Sequence, residues 1–570
     1  MNLIYKNIIL AAAILVSVLV TPEAKAFTVG EAVNFNVDKD FDASARSQVS
    51  AVLVKTSSNL YFYVEKNWWE VQAPAKQNEI LGYLDELSLE FDKKIYPNLT
   101  SIFGSEWKPG VDGDPKITIL FHALKENAGG YFRSADEYLK LQIPDSNERE
   151  MVYLPIAHID SRQLKVFLAH EFVHLITFNQ KDKLREVQEE IWLNEARADY
   201  SSTILGYDSL YDGSNLQRRV RNFLEKPFDS LTEWQENKYD YAVASLFTHY
   251  LVDHYSINVL ADSLKSKAVG IASINEVLQK NNEKEDFAQI FIHWTIATLI
   301  NDCSVEIKHC YLNQNLRGLR INPTLNFLPL SGSSSLSVTN VTKNWAGNWQ
   351  KFIGGKGDLT LEFTSLAGLS FKVPYLIFNK DGSYAIRYLD LDQKEKGQLE
   401  IENFGDTVAS LVIIPSLQSK TSDFNGLELT YPYTFTVSIV DKTMSEEEAL
   451  IQKLLVQIEF LKKQIVALQS GVGNPVPTFA CGPLNNNLYK GTAYSSDVTC
   501  LQNFLKSQGP SIYPEGLVTG SFGNLTKSAV IRFQEKYKEE ILAPLGLLRG
   551  TGFVGPSTRI KINKLLLGGA

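Results

Sequence analysis

Residues 170–174 read His-Glu-Phe-Val-His, and this run restricts the possible structure of the chain more than any other. Residues 163–178 contain no Pro or Gly and are rich in apolar side chains, which predicts a helix. On a helix, His170 and His174 are one turn apart and project from one face, where both rings can reach a single Zn²⁺. Glu171 is then placed to take a proton from a metal-bound water. A surface helix with two incidental histidines is the alternative.

A third zinc ligand is expected from residues 191–200, which read Ile-Trp-Leu-Asn-Glu-Ala-Arg-Ala-Asp-Tyr. A catalytic zinc site takes three protein ligands and keeps one position open. If this second helix is antiparallel to the first, the Glu195 carboxylate can reach the metal. Asp199, one turn further on, could accept a hydrogen bond from the other ring nitrogen of His170. A solvated helix face is the alternative for both carboxylates.

The motif His-Glu-x-x-His followed by Trp-Leu-Asn-Glu-x-x-x-Asp resembles the gluzincin metallopeptidases, which include thermolysin-like and membrane-alanyl-aminopeptidase-like enzymes. Residues 101–200 resemble more closely the secreted hyicolysin-type neutral metalloproteases, through Val-Asp-Gly-Asp-Pro at 111–115 and Gly-Tyr-Phe at 130–132. The resemblance covers residues 27–300 and implies an α+β zincin-type unit. The site that it implies consists of the zinc ligands His170, His174 and Glu195, the general base and acid Glu171, and Asp199 supporting His170.

A zinc peptidase also needs a donor for the negative charge that develops on the scissile carbonyl oxygen. Tyr241 lies in the first turn of a predicted helix, in a run similar to the Tyr-Glu-Lys-Gly helix of the aminopeptidase branch. Tyr239 and His249 are alternative donors, and Tyr241 could also be a simple packing residue. The chain has no Gly-x-Met-Glu-Asn-type run before the zinc motif to hold a free substrate amine, which favours an endopeptidase.

Two weaker expectations concern the surroundings of this site. Gly129–Phe132 is predicted to form a sheet edge on which a substrate could pair through backbone hydrogen bonds, although a plain hairpin turn is equally compatible. Asp112 and Asp114 could bind Ca²⁺, and a solvated turn is the alternative.

The N-terminus and the cysteines both indicate export. Residues 1–26 have the layout of a signal peptide, with an apolar run too short to span a bilayer comfortably and a small-x-small cleavage site; an uncleaved anchor is the alternative. The four cysteines form two local pairs, Cys303–Cys310 and Cys481–Cys500, which an oxidising compartment would allow to form disulfides. Four free thiols are the other interpretation. We therefore expect a secreted protein, extracellular or in the cell envelope.

The length of 570 residues predicts several domains. Residues 27–155 are expected to be a β-rich N-terminal subdomain of the peptidase and residues 156–325 its helical, zinc-binding subdomain. A Gly/Ser linker at 331–335 opens residues 331–441, whose short strands and turn signals predict a small β-sandwich. The net charge of −9 argues against a nucleic-acid partner, and no membrane span is expected in the mature chain.

Residues 444–470 form a heptad pattern, with Ile at 451, 458 and 465 and Leu three residues after each. Ile and Leu in these positions favour a parallel two-stranded coiled coil, so residues 451–468 could join a homodimer. Because three heptads are marginal alone, a single helix lying on a neighbouring domain is the alternative.

Residues 479–570 predict a last module of three short helices with Val498, Leu501, Leu505, Val530 and Phe533 as its core. Asp-Val-x-x-Leu-Gln-x-Phe-Leu at 497–505 and Gly-Pro-x-Thr at 555–558 make it similar to the peptidoglycan-binding domains at the ends of bacterial envelope enzymes. The resemblance implies wall anchoring, and a repurposed module without glycan affinity is the alternative.

These features lead to one expected function and two alternatives. We expect a secreted zinc metalloendopeptidase that acts on proteins or peptides and is held in the envelope by its C-terminal module. A peptidoglycan cross-link peptidase would use the same zinc on wall peptides. A wall-binding protein without activity should lack at least one of the five residues of the expected site, and all five are present.

Overall fold

The computed structural model describes residues 27–440 except 127, 331 and 425, the single positions 454 and 458, and, with gaps, residues 484–566. The chain divides into two compact units, Met1–Val456 and Gln457–Ala570. Three features named in the sequence analysis lie outside the described residues. They are the expected signal peptide, nearly all of the heptad segment with its expected dimer contact, and Cys481. Within the described ranges, none of the helices has the length and apolar character needed to cross a membrane.

A six-stranded mixed sheet opens the first unit. Its strands are β1 (Ala32–Asn36), β2 (Gln48–Thr56), β3 (Leu60–Glu65), β4 (Ile117–His122), β5 (Tyr131–Phe132) and β6 (Met151–Pro155). They lie in the order β1-β2-β3-β4-β6-β5, with β3, β4 and β6 parallel to one another. Strands β4 and β6 are buried throughout, because apolar side chains pack on both faces of the sheet.

Helices cover one face of this sheet and continue as a helical region. They are α1 (Lys66–Glu70), α2 (Pro74–Glu90), α3 (Tyr96–Phe103), α4 (Leu164–Phe178), α5 (Ile191–Ile204), α6 (Asn215–Glu225), α7 (Lys238–Tyr255), α8 (Asn258–Ser263), α9 (Gly270–Lys280) and α10 (Phe287–Ile300). Helix α7 starts at a capping box formed by Asn237 and Asp240. The sheet and the helices share one hydrophobic core, so the two predicted subdomains form a continuous body.

Eleven strands follow among the described residues of this unit. They are β7 (Thr324–Leu328), β8 (Ser334–Thr342), β9 (Gln350–Gly354), β10 (Gly357–Ser365), β11 (Phe371–Lys372), β12 (Pro374–Asn379), β13 (Tyr384–Tyr388), β14 (Lys396–Phe404), β15 (Val408–Ile413), β16 (Ser416–Leu417) and β17 (Tyr431–Val440). Most of these strands form two hydrogen-bonded groups, in the orders β8-β17-β10-β14 and β13-β12-β15-β9-β7. We call these groups arms, and they are joined where Phe404 of β14 pairs with Val408 of β15. Both arms contribute to one apolar core, which is the layout of a β-sandwich.

The β-sandwich is packed directly onto the helical region. The Trp345 ring lies 5.1 Å from Phe287 and 5.5 Å from Phe291 of α10. The Trp349 indole N–H donates to the carbonyl of Thr295 at 2.9 Å. Residues 331–335, predicted as a linker, therefore do not hold the β-sandwich apart from the helical region. The last two of these residues belong to strand β8.

The three cysteines among the described residues are disulfide-bonded. Cys303 and Cys310 form a disulfide, which confirms the first predicted pair. Cys500 is also disulfide-bonded, and its predicted partner Cys481 lies outside the described residues.

The second unit contains four helices among its described residues: α11 (Ser496–Ser507), α12 (Asn524–Lys536), α13 (Lys538–Ile541) and α14 (Pro556–Leu566). All five residues predicted as its core are buried in one cluster, which confirms that prediction. Two buried glutamines tie the helices together: Gln502 donates to the Thr526 hydroxyl at 2.9 Å, and Gln534 donates to the Thr558 hydroxyl at 3.0 Å.

Candidate metal centre

Helices α4 and α5 bring His170, His174 and Glu195 to one point. Glu195 Oε2 lies 3.1 Å from His170 Nε2, and its Oε1 lies 3.5 Å from His174 Nε2. One ligand atom from each residue lies within 4.8 Å of the others, and within the described ranges this is the only such group of His, Cys, Asp or Glu. Two imidazoles and one carboxylate are the donor set of many catalytic zinc sites, so these residues fit zinc. The fold thus brings together the three residues named in the sequence analysis, and their role as zinc ligands stays a prediction.

Large buried side chains anchor the two helices that carry these residues. The ring of Phe172 in α4 packs edge-on against the ring of Phe91, with 5.1 Å between the ring centres. Trp192 of α5 is 1 % exposed, and its indole N–H donates to Glu190 at 2.8 Å. Because both helices are anchored by large buried rings, the polar face of each is held toward the other.

His174 has a neighbour that the sequence analysis missed. Its Nδ1 lies 3.1 Å from the side-chain oxygen of Asn194. An amide oxygen can only accept, so the contact requires the proton on Nδ1 and leaves Nε2 free to bind a metal. The position of Asn194 directly before Glu195 in Trp-Leu-Asn-Glu is the available sequence signal for this role.

Asp199 does not make the contact predicted for it. Its Oδ1 accepts hydrogen bonds from Arg219 Nη2 at 2.6 Å and from Asn215 at 2.8 Å, and no hydrogen bond to His170 occurs among the described residues. A buried guanidinium offers a carboxylate several donors in one plane, so it is the stronger partner. Although burial favours a higher value, the Arg219 charge and hydrogen bonds hold the pKa of Asp199 below its ordinary range. Asp199 therefore holds Arg219, whose guanidinium lies over the ring of Tyr241.

Glu171 is buried beside the three ligand candidates, with 4 % of its surface exposed. Burial raises its pKa to about 8; the nearby Glu195 adds to this effect and His170 opposes it. The backbone of Gly130 lies close enough that a Cβ there would be 2.8 Å from Glu171 Oε1. A carboxyl group in this setting can hold and release a proton near neutral pH.

Gly130 belongs to the segment predicted as a sheet edge. The strand that follows it, β5, pairs with β6 and stands last in the sheet order, so the predicted edge is confirmed. Gly129 lies against the ring of Phe167 in α4, and Gly130 lies against Glu171. The start of this edge strand therefore lies next to Glu171.

Tyr241 is the predicted donor that the fold brings to the site. Its ring centre lies 6.5 Å from that of His170, and the Arg219 guanidinium lies over the ring at 4.6 Å. Burial, followed by the negative charge of Glu195, raises the pKa of Tyr241 well above its ordinary value, so the hydroxyl keeps its proton. The alternatives have partners elsewhere: Tyr239 donates to Glu225 at 2.8 Å, and the His249 ring packs against Tyr200 at 4.9 Å.

The two aspartates named as calcium candidates make turn contacts. Asp114 Oδ2 accepts from the Tyr61 hydroxyl at 2.8 Å, and its Oδ1 accepts from the Lys116 backbone at 3.0 Å. Asp112 accepts from the backbone of Asp114 at 2.9 Å. Since protein donors already occupy both oxygens of Asp114, the turn interpretation describes this pair better.

Comparison with known proteins identifies one part of the chain. Residues 494–540 match the family described as "Putative peptidoglycan binding domain". No curated protein matches the chain. The C-terminal unit is therefore supported as a peptidoglycan-binding domain, which is consistent with an envelope or extracellular location.

Solved structures similar to short parts of the chain have low identity. The Yersinia pseudotuberculosis-derived mitogen is 12 % identical with a TM-score of 0.15, covering 20 % of this chain and 91 % of its own. The pre-peptidase C-terminal domain of a Bacillus anthracis collagenase is 9 % identical with a TM-score of 0.14, covering 20 % and 96 %. Aeromonas hydrophila PliG, a periplasmic inhibitor of g-type lysozyme, is 15 % identical with a TM-score of 0.15, covering 21 % and 99 %.

Proposed function

We propose that the first unit is a zinc metalloendopeptidase of the gluzincin type. The observation that carries the proposal is the convergence of His170, His174 and Glu195 within 4.8 Å, with the buried carboxyl of Glu171 beside them. The side chains of His170 and Glu195 are 18 % and 17 % exposed, so the group is reachable from one side. This combination of three ligands, an adjacent base and an open side is what metal-assisted peptide hydrolysis requires.

Zinc held by these three residues would polarise a substrate carbonyl and lower the pKa of a water molecule. Glu171 is placed to accept a proton from the attacking water and to pass it to the leaving amine. Asn194 holds the His174 ring in the tautomer that leaves Nε2 as a ligand.

Tyr241 supplies the remaining function, which is to donate a hydrogen bond to the oxygen that becomes negative. The Arg219 guanidinium over its ring and the Trp234 ring 4.8 Å away fix its orientation. A hydroxyl held in place before reaction stabilises the transition state without costly reorganisation.

Strand β5 supports an extended peptide as the substrate. The strand begins one residue after Gly130, which lies against Glu171, so an extended chain pairing with β5 would run close to the base. This arrangement needs no free substrate terminus and therefore favours an endopeptidase. The peptidoglycan-binding domain at 494–540 would keep the secreted enzyme at the cell wall.

The test is cleavage of an unfolded protein by the purified protein and by the variant Glu171→Gln, with zinc content measured in both. We expect both to hold about one zinc and only the wild type to cut. Glu186→Gln, at an exposed carboxylate outside the site, is the matched control and should keep full activity. Equal cleavage by the Glu171→Gln variant would exclude Glu171 as the base.

The peptidoglycan-binding domain favours a second candidate, a peptidase that cuts wall cross-links with the same site. Loss of turbidity from purified cell walls, abolished by Glu171→Gln, would support it if unfolded protein remains uncut. Cleavage of protein without any effect on walls would leave the endopeptidase as the function.

A further inference from the structure

A cleft lies between the loop after α6 and the β-sandwich, and we call it the junction cleft. Pro227 and Phe228 line it on the loop side, and residues on or beside β7, β8, β9 and β17 line the other side. None of the lining residues is part of the candidate metal centre. The cleft encloses about 190 Å³. At about 30 Å³ per water molecule this equals about six waters, so the cleft has room for one small ring.

The lining of the junction cleft is uncharged and rich in amide groups. Among the described residues that line it, none is Asp, Glu, Lys, Arg or His, and four carry side-chain amides: Asn322, Asn340, Asn348 and Gln350. An amide has both donors and an acceptor, so it suits hydroxyl and acetamido groups. A charged ligand would lose its hydration without gaining an opposite charge. The lining therefore favours an uncharged ligand with several polar groups.

Hydrogen bonds within the protein orient two of these amides. Asn348 donates through Nδ2 to the Thr342 hydroxyl at 2.7 Å and to the Pro415 carbonyl at 3.0 Å, which leaves its Oδ1 as an acceptor. Gln350 accepts through Oε1 from Asn326 at 3.2 Å, which leaves its N–H group as a donor. The cleft thus holds an acceptor and a donor that are oriented before a ligand binds.

Tyr433 is a further observation that points to a ligand. Its side chain lines the cleft and is 1 % exposed, and its hydroxyl makes no hydrogen bond among the described residues. Asn340 is its direct cross-strand neighbour on β8, and the amides of Asn340 and Gln350 approach the hydroxyl without reaching hydrogen-bond geometry. A buried hydroxyl without a partner is costly, and a polar group seated in the cleft would supply one.

The loop side of the cleft offers an aromatic surface. The Phe228 ring is 58 % exposed although it lines the cleft together with Pro227. A sugar ring has a face of C–H groups that can pack on such a ring, while the hydroxyls at its rim meet amides.

The two sides of the cleft are held at a fixed distance by the contacts next to it. Ser230 donates to the Asn344 carbonyl at 2.7 Å, and the Leu231 backbone N–H donates to the Trp345 carbonyl at 2.9 Å. Because the loop is tied to the sandwich, little ordering remains to be done when a ligand binds.

We propose that the junction cleft binds one neutral sugar ring of a glycan. The Phe228 ring packs on the C–H face of the sugar, and the amides on the sandwich side hydrogen-bond its hydroxyl or acetamido groups. The C-terminal unit is supported as a peptidoglycan-binding domain, so N-acetylated amino sugars are the first source to test. The site is independent of the proposed peptidase activity, because the two share no residue.

Isothermal titration calorimetry of the purified protein with triacetylchitotriose, a trimer of N-acetylglucosamine, tests the proposal. We expect a Kd of about 1 mM or tighter for a ligand of this size. Phe228→Ala and Asn322→Ala, both at exposed residues, should each weaken binding at least about tenfold. Phe327→Ala is the matched control, because this phenylalanine is 68 % exposed on β7 and lies outside the cleft; it should bind like the wild type.

All four proteins contain the same C-terminal unit, so any sugar bound there contributes equally to each titration. A Tm within about 1 °C of the wild type shows that a variant is folded. Maltotriose, a trimer of glucose, is titrated in parallel, and binding of maltotriose alone would keep the sugar site and assign it to a glycan other than the cell wall.

Two results would overturn the proposal. One is the absence of binding for both sugars at about 10 mM, ten times the expected Kd. The other is an equal affinity in the wild type, Phe228→Ala and Asn322→Ala, which would place the sugar elsewhere in the molecule.

Discussion

Replacing Arg219 by methionine should destabilise the first unit strongly, because it leaves the Asp199 carboxylate buried without its cation. The guanidinium makes contacts with Asp199 at 2.6, 3.1 and 3.2 Å, and the two side chains are 10 % and 4 % exposed. Removing one partner of a buried ion pair costs about 3–5 kcal/mol. Since the entropy of unfolding is about 2 cal/mol/K per residue, this corresponds to a fall in Tm of about 3–6 °C for a unit of this size.

Differential scanning calorimetry of the purified protein measures this effect. Arg221→Met is the matched control, because Arg221 lies on the same helix and is exposed. Its Tm should change by less than about 1 °C. The double variant Asp199→Asn with Arg219→Met should recover at least about half of the lost stability, because no unpaired charge remains. A fall below about 1 °C for Arg219→Met alone would refute the reasoning that Asp199 depends on this partner.

Three further predictions concern the candidate site and the buried carboxyl of Glu150. Tyr241→Phe should lower kcat about 10²–10³-fold in a peptide cleavage assay with little change in KM, and Tyr239→Phe should leave kcat unchanged; equal effects would remove Tyr241 as the oxyanion donor. Asn194→Ala should weaken zinc binding about 10–100-fold in a chelator competition, because His174 loses its orienting contact; an unchanged affinity would contradict that role. In denaturant titrations, the stability of the wild type relative to Glu150→Gln should fall as pH rises from about 4.5 to about 7, because burial raises the pKa of Glu150 in the folded state to about 7 and the unfolded chain releases that proton first; a constant difference between the two proteins over this window would contradict the shift.

The core of the candidate site could be predicted from the sequence because it depends on local spacing. Residues 163–178 were predicted helical, and α4 runs from Leu164 to Phe178. Helical periodicity then places His170 and His174 on one face. The helix that carries Glu195 follows α4 after a short connection, so the two helices are expected to pack side by side with Glu195 near the histidines.

Arg219 could not be predicted in the same way. Three arginines, at 218, 219 and 221, occur in one polar helical segment, and spacing does not show which of them is buried. Packing of α6 against α7 decides this, and it turns Arg219 toward Asp199 and the Tyr241 ring. The sequence therefore predicted His170 as the hydrogen-bond partner of Asp199. In the structure the partner is Arg219, 20 residues further along the chain.

The β-sandwich is a second case in which tertiary contacts could not be predicted from the sequence. These contacts affect the candidate site. Several strands of the β-sandwich were predicted from the sequence, but its contacts with the loop before α7 were not. Ser230 in that loop donates to the Asn344 carbonyl at 2.7 Å, and the buried Glu233 pairs with Lys343 of the sandwich. The next residue, Trp234, packs against the Tyr241 ring at 4.8 Å. Because a loop held on both sides cannot shift without breaking buried contacts, the sandwich helps to determine where the candidate oxyanion donor lies.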